Sequence, residues 1–531
     1  MINTQKKGIY MNNNINKAWR QYEAGKDYKR RIGLFENARK NEAFYRGDQW
    51  QNGEGGNLPR PVFNVIRRVV DYLVSSVAAS DISIRFTDEN LPYATGENRE
   101  ILKNMLKNLE RNTAYRWESE LMDSKMLSLL TDAAICGDGF LFCYWDPSLH
   151  GPDGFRGDIV TDVIDAVNVF PADTNRADIQ SQEYVIVSGR ASVASLRAEA
   201  LAAGVCAEDV NDIVKDGENA YQSGALAKYE LEGEDEQKAT FIVKFWREDG
   251  FVCFEKSTKN CVIRRVKTAC RLYPLAYLSW IRAKNSFHGA SPVTAMIPNQ
   301  KFINRAYAMA MKHMTDTAFS KVIYDKSKIP EWSNEVGEAI AAQGGGNISD
   351  AVSVVGTGEM QDGFITLIES AVALTKELMG ATESALGNLE ANNTSAILAL
   401  QETSRTTLDS IRQSLYRCIE ELADVWTDMM CAYYPSDRLI PCVDADGVSV
   451  CTIEPNLLRA SLINARVDVS EMTRYSAVSA QNMLDKLLDG GYITPAQYIR
   501  RLPAGMLIDR QALINEIEQS NDSLFEKGET I

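Results

Sequence analysis

The sequence predicts an α+β chain, mainly helical, with a β-rich section set between helical ones. Three observations predict it. Apolar residues recur with helical period near both ends of the chain. A strand–turn–strand–strand run lies just after the acidic stretch at 232–237. After Ser286 the chain turns to long helical stretches bracketing a short module of strands and glycines. With 531 residues, 45% hydrophobic and 24% charged, the composition is that of an ordinary soluble protein. The length suits two to four domains or one elongated, multi-part protomer.

The elements follow in chain order. A polar helix should end at Arg46, where Gly47 supplies a C′ residue. A Gly/Asn-rich loop bearing Trp50 follows, and Pro59 and Pro61 hold the backbone extended. Asn64 is an N-cap for a helix whose Ile66, Val69, Val70, Leu73, Val74 and Val77 make a one-sided stripe. Residues 97–135 read as helical. Strands are expected at 140–146, 158–170 and 184–190, then an Ala-rich helix. TFIVKFWRE and FVCFEKST are joined by Asp249-Gly250, a type I′ turn signal, and CVIRRVKT completes a meander.

Ser291 and Pro292 stand as N-cap and N1 of a helix carrying a small-residue, Met-rich stripe from Phe302 to Ala318, which Pro298 should restart or kink. KVIYDKSKIPEW, Gly344-Gly345-Gly346 and the alternating AVSVV form a small module, and a second helix returns over 363–380. GATESALGNLEANN breaks periodicity. A helix over about 395–433 follows, with Leu408, Ile411, Leu415, Ile419, Leu422, Trp426, Met429 and Tyr433 as its stripe and a length of about 58 Å. Pro435 ends it. Short strands (438–453 and 465–470) and a helical tail close the chain.

Composition also argues against several classes. No apolar run reaches 18 residues, so a membrane-crossing helix is not expected. The N-terminus has no apolar core of a signal peptide, so export by that route is not expected. The ten cysteines include no CxxC pair; most sit in apolar runs and are expected as buried reduced thiols in a reducing compartment. His150, His288 and His313 are far apart, so no zinc site is expected, and His288 and His313 read as structural. Asp158, Asp162 and Asp165 read as a solvated strand edge rather than a metal site, and Asp444-Ala445-Asp446-Gly447 as a turn. No GxxxxGK[ST] occurs, so no ATP-driven motor is expected, and no nucleophile–base pair can be argued from spacing. The net charge is −15, whereas sequence-tolerant DNA binders are usually basic. Only the first fifty residues run the other way, with eleven Lys/Arg against five Asp/Glu. That arm reads as a solvated tail, or as a segment docking on an acidic partner or nucleic acid.

The wording FYRGDQW, a short Gly-rich loop and LPRPVFNVI resembles the N-terminal block of tailed-bacteriophage portal proteins. The order of elements from Asn41 to about Tyr475 is similar to that of the portal protomer. SFHGASPVTAMIPNQKFINRAYAMAM matches the family's entry to its outgoing stem, and the Gly-broken GATESALGNLEANNTSA its tunnel loop. The resemblance implies a basic N-terminal arm (1–29), a mixed wing (30–285), an outgoing stem helix (286–320), a clip (321–362) and a returning stem helix (363–380). A tunnel loop (381–394), a long helix with further wing (395–470) and a short helical crown and tail (471–531) complete it. The short tail after Pro435 implies a compact crown.

The resemblance further implies a homo-oligomeric ring, usually of twelve subunits, at one capsid vertex of the virion, assembled in the host cytoplasm. Double-stranded DNA is packaged through it by a terminase, of which the large subunit is a partner, and later leaves by the same route. A neck or adaptor protein, scaffold and major capsid protein are the other implied partners. No cofactor, metal or catalytic residue is implied. An acidic channel should not trap a sliding polyanion. Glu383 and Glu390 are therefore expected to face the lumen, with Asn388, Asn392 and Asn393 as weak contacts; the alternative is a loop packed on the neighbouring subunit. Lys301, Arg305 and Lys312 are either lumen cations or members of inter-subunit salt bridges. Two other readings stay open: a DNA-processing hydrolase, and a neck or tail adaptor without a DNA channel.

Overall fold

The computed structural model describes residues 2–50, 56–78, 82–150, 154–216, 237–317, 321–333, 340–341, 343–344, 347, 350–355, 362–381, 408–435, 438–444, 447–469, 483–501 and 513. The chain opens with α1 (Ile2–Arg31), α2 (Leu34–Arg46) and α3 (Val65–Ala78). Gly47 ends α2 in the left-handed region (φ 101°), and its N–H bonds Ala43 O and Phe44 O. Asn64 Oδ1 accepts from Arg67 N at 3.0 Å, the expected cap of α3. The whole predicted stripe of α3 is buried. Between the two helices Trp50 Nε1 donates to Pro61 O (2.8 Å), closing the loop on itself.

Strand β1 (Ile82–Asp88) follows, then α4 (Glu97–Ser119) and α5 (Met122–Cys136). The predicted helical stretch is thus two helices, broken where Leu121 takes φ 53°. Strands β2 (Asp138–His150) and β3 (Arg156–Ile164) come next, then a 3-10 turn (Ala166–Asn168), β4 (Val169–Pro171) and β5 (Tyr184–Ser192). The single strand read over 158–170 is therefore two, because Asp165 accepts from Val167 N and turns the chain at the 3-10 segment. After α6 (Val193–Ala202) and α7 (Ala207–Asn211) the meander appears as β6 (Lys238–Glu248), β7 (Phe251–Ser257) and β8 (Val262–Lys267). Its turn has φ 53° at Asp249 and 81° at Gly250, as a type I′ turn requires. β9 (Leu275–Ser279) leads to α8 (Pro292–Thr317), β10 (Lys321–Tyr324), β11 (Val352–Val355) and α9 (Asp362–Leu378). The last labelled elements are α10 (Asp409–Tyr433), β12 (Leu439–Asp444), β13 (Gly447–Thr452), α11 (Pro455–Ala460) and β14 (Ile463–Val469). Helical segments at 483–489 and Pro495–Arg501 lie in the predicted tail.

The strands form a five-stranded antiparallel sheet, β4-β5-β6-β7-β8, a three-stranded sheet, β3-β2-β9, and three two-stranded ribbons, β1-β14, β10-β11 and β12-β13. One large core joins α2, α3, α5, the three-stranded sheet, the start of α8 and α10. α10 grips the neighbouring strands through its acids. Glu421 accepts from Tyr277 N, Asp424 from Ala465 N, Glu420 from Val467 N, and Asp428 from Arg271 N and Leu272 N. Burial pushes Glu421 up to about 8 and Asp424 up to about 6.

Several expectations are corrected. The basic arm is no solvated tail over its second half: Ala18, Trp19, Tyr22, Lys26 and Lys29 are buried, on a core with Phe35, Phe170, Ile186 and Ile242. Lys29 Nζ donates to Ala166 O, Val167 O and Val169 O (2.6–3.0 Å), and burial lowers its pKa to about 7. Asp158 is no solvated edge either. It takes Arg116 Nη2 (2.9 Å), Tyr434 OH (2.6 Å) and Arg438, and although burial works against its charge these partners hold its carboxyl below the usual range. Asp162 accepts from Tyr144 OH. Cys442 and Cys451 are joined across the β12–β13 hairpin as a disulfide, so they depart from the reduced-thiol expectation; the other eight cysteines are free and Cys206 is exposed. The α8 stripe is mixed in burial, with Ile303, Ala306 and Ala310 buried and Phe302 and Met314 exposed. The long helix is described from Asp409 on, with its stripe buried from Leu408 to Met429; the predicted start over 395–407 lies outside the described residues.

Candidate channel hairpin and its root

Helix α8, the β10–β11 ribbon and α9 make one antiparallel excursion from the body of the protein. Ser291 Oγ accepts from Val293 N (3.1 Å), and Pro292 begins the helix where a missing N–H costs nothing. Lys321↔Val355 through Tyr324↔Val352 pair the two short strands. α9 returns against α8 with Ile368 and Thr375 buried.

The root of this hairpin is held by polar side chains. Asp138, at the start of β2, is buried and accepts three hydrogen bonds: from Tyr277 OH (2.7 Å), His288 Nδ1 (2.6 Å) and Gly289 N (2.7 Å). His288 is thus structural, as expected, in a buried carboxylate pair. Gly137 and Gly289 meet face to face. A Cβ on Gly289 would run into Ser279 Oγ and Gly137 O, so only glycine allows this approach. Ser291 Oγ donates to Ala134 O, and Asn41 Nδ2 bridges Ile135 O and Thr294 Oγ1.

About two turns further along α8, Gln300 reaches across to α3. Its Oε1 accepts from Val65 N (3.0 Å), which also bonds Phe63 O, and from Ile66 N (3.3 Å), which has no partner within its own helix. Its Nε2 donates to Phe63 O (2.7 Å) and to Asn304 Oδ1 (2.9 Å), and Asn304 Nδ2 reaches Gln49 Oε1. Sequence reasoning missed Asn41, Asp138, Gln300 and Asn304. The available signal was Gln300 and Asn304 standing four apart among Ile297, Ile303 and Ala306, on the buried side of a helix.

The outer surface of the hairpin is apolar in places where a lone protomer would carry polar groups. Leu367, Leu374 and Leu378 stand at i, i+7 and i+11 on one face of α9 and are 52%, 56% and 72% exposed. Phe302 and Met309 share a face of α8 and are exposed as well. Lys301, Arg305 and Lys312 fall on a single face of α8 by their spacing. Their surroundings within one protomer differ. Lys301 is half-buried with Nζ 5.9 Å from the centroid of the Phe44 ring, Arg305 is exposed, and Lys312 pairs with Asp316 of its own helix at 3.1 Å. Glu383, Asn388, Glu390, Asn392 and Asn393 lie outside the described residues. Among the described residues no group of three His, Cys, Asp or Glu could hold a metal ion, and no helix is long and apolar enough to cross a membrane.

The hairpin, α10 and the His288-to-Asn304 side of the root fall within a stretch with a known counterpart, whereas Asn41, Val65 and Asp138 lie before it. Residues 258–482 match the Phage P22-like portal protein family. The resemblance to portal proteins is thereby shown, and it rests on the part of the chain from the last meander strand to the edge of the tail. The N-terminal block around Trp50 lies outside the matched span. A portal or connector role as a structural component of a phage particle is what this match supports. Among solved structures, "Neck of empty GTA particle computed with C6 symmetry" overlaps 88% of this chain and 94% of that one, at 11% identity and a TM-score of 0.37. No curated protein matches.

Proposed function

We propose that the chain is a portal subunit: copies close into a ring at one capsid vertex, and DNA enters and leaves through its centre. The observation that carries this is the uncovered apolar surface of the hairpin inside the portal-matched stretch. Leu367, Leu374 and Leu378 would be costly to leave in water on a finished assembly, and a neighbouring copy is the natural cover. In this reading 286–320 and 363–380 are the stem, 321–362 the clip, 30–285 and 395–470 the wing, and 471–531 a compact crown. The clip would receive the terminase during packaging and a neck or adaptor protein afterwards, while scaffold and major capsid protein contact the wing. The chain itself does no chemistry in this role.

The acidic balance suits the task. A ring of chains at −15 each offers a sliding polyanion few places to stick. Glu383 and Glu390 are assigned to the lumen on that ground, with Asn388, Asn392 and Asn393 beside them. Reversing both glutamates to lysine should slow or stall packaging in an in vitro packaging assay, and an unchanged rate would remove the assignment. The ring itself is tested by light scattering after size exclusion and by negative-stain imaging. Twelve copies of a 59.1 kDa chain give about 700 kDa with a central hole. A monomer at every concentration and ionic strength would overturn the proposal.

A further inference from the structure

A cavity of about 210 Å³ lies between α1 and the five-stranded sheet, well away from the hairpin. Its floor is a lateral row across three strands, in which Lys244 of β6 is paired with Glu255 of β7, and Glu255 with Arg265 of β8. Lys17 and Gln21 of α1 lean over it.

The row does not neutralise itself. Neither cation comes within 4.0 Å of the carboxylate as an ion pair. Instead Lys244 Nζ lies over the rings of Tyr184 (5.0 Å) and Trp246 (5.5 Å), and the Arg265 guanidinium over Trp246 (5.0 Å). Glu255 is 4% exposed, yet its Oε1 is buried with no hydrogen-bond partner, and Gln21 Oε1 shares that condition. An orphaned buried carboxylate oxygen is expensive, and the space beside it, where Lys17, Lys244, Arg247 and Arg265 outnumber the one further carboxylate, Glu183, points to an anion that fills the gap. Burial also lifts the Glu255 carboxyl above its ordinary range against the pull of Arg265 and Lys244.

We infer that this cavity holds monohydrogen phosphate as a structural anion between α1 and the sheet. The occupant must accept from Lys17, Lys244 and Arg265 and also donate one hydrogen bond to Glu255 Oε1. Inorganic phosphate does both, through its unprotonated oxygens and its P–OH. Gln21 joins by turning its amide so that nitrogen faces the ion. A stacked base does not fit this chemistry, because cations already cover the aromatic faces. Sulfate and a phosphomonoester are tetrahedral dianions without the proton near pH 8, so each would bring a bare oxygen against the carboxylate.

The test compares inorganic phosphate, sulfate and a deoxynucleoside 5′-monophosphate on the full chain near pH 8 at matched ionic strength, by calorimetric titration and thermal melting. Phosphate should bind at least about tenfold more tightly than either competitor, a difference of about 1.4 kcal/mol. It alone should raise the melting temperature. Glu255→Gln, which offers an amide donor of nearly the same shape, should close the gap by admitting sulfate. Lys244→Met should weaken both ions, with circular dichroism confirming that each variant folds. Equal binding of phosphate and sulfate by the natural chain would overturn the inference. So would a gap that survives Glu255→Gln, or no binding of phosphate at all.

Discussion

Replacing Gln300 with alanine tests whether the hairpin is set into the wing by hydrogen bonds. The substitution removes four of them: those from Val65 N and Ile66 N to Oε1, and those from Nε2 to Phe63 O and Asn304 Oδ1. Val65 N keeps its bond to Phe63 O (2.8 Å), so the Ile66 N–H and the Asn304 amide oxygen, both on buried residues, are the groups that lose a partner out of reach of bulk water. A lost helix cap costs about 0.5–2 kcal/mol, and each orphaned buried group about 1–3 kcal/mol. Partial entry of water into the vacated space offsets some of this, leaving about 3 kcal/mol for Gln300→Ala. Urea unfolding of dilute protein, followed by tryptophan fluorescence, reads the loss. Hydrogen exchange at Val65 and Ile66 should accelerate in the same variant. Arg305→Ala, on the exposed side of the same helix, should change stability by under about 0.5 kcal/mol and serves as the control. If Gln300→Ala unfolds with the same midpoint as Arg305→Ala, the polar socket is not what holds α8.

Arg116 is buried against Glu120, Asp158 and Ile159 O, and Arg116→Ala should cost about 3 kcal/mol in urea, at the low end for a broken buried pair because Asp158 keeps Arg438 and Glu120 keeps Lys125. Leu374→Asp with Leu378→Asp should leave the protomer's melting temperature nearly unchanged but abolish the ring in negative-stain images, since both side chains are exposed on one copy. Burial raises Asp132 to about 7, Asp424 to about 6 and Glu421 to about 8, so the folded state holds protons that the unfolded chain releases. Their stabilising contribution is complete below the unfolded carboxylate range and fades as pH rises through these values; melting temperature should therefore fall from about pH 5 to 7, and Glu421→Gln should flatten the fall. Gly289→Ala should give largely misfolded protein in circular dichroism, because its Cβ has nowhere to go between Ser279 and Gly137.

Local signals carried much of the fold. Asp249-Gly250 fixes its hairpin within four residues, and the stripe of α3 is complete in fourteen. Pairings between distant segments were not legible. β1 finds β14 some 380 residues later, and neither run advertises the other. β9 is buried along its whole length and so shows no alternation to read. In the basic arm, charge counting hid a face made of Ala18, Tyr22, Lys26 and Lys29, whose positive groups point inward. Of the candidate site, the two helices and the ribbon could be placed from periodicity and turn residues. The residues that anchor them could not, because Gln300 meets α3 across 235 positions of sequence and Asp138 meets His288 across 150.

The junction at Asp138, Gly289 and Gln300 has a mechanical consequence. Hydrocarbon contacts resist sliding through interdigitated packing but carry no directional preference for particular atoms. Hydrogen bonds at fixed stations carry one. A push along α8 therefore has no smooth path of slippage: it must either shear several bonds together or hand its load to β2 and α3. The excursion is thereby mounted on β2 and α3 by bonds that would have to break together before it could shift.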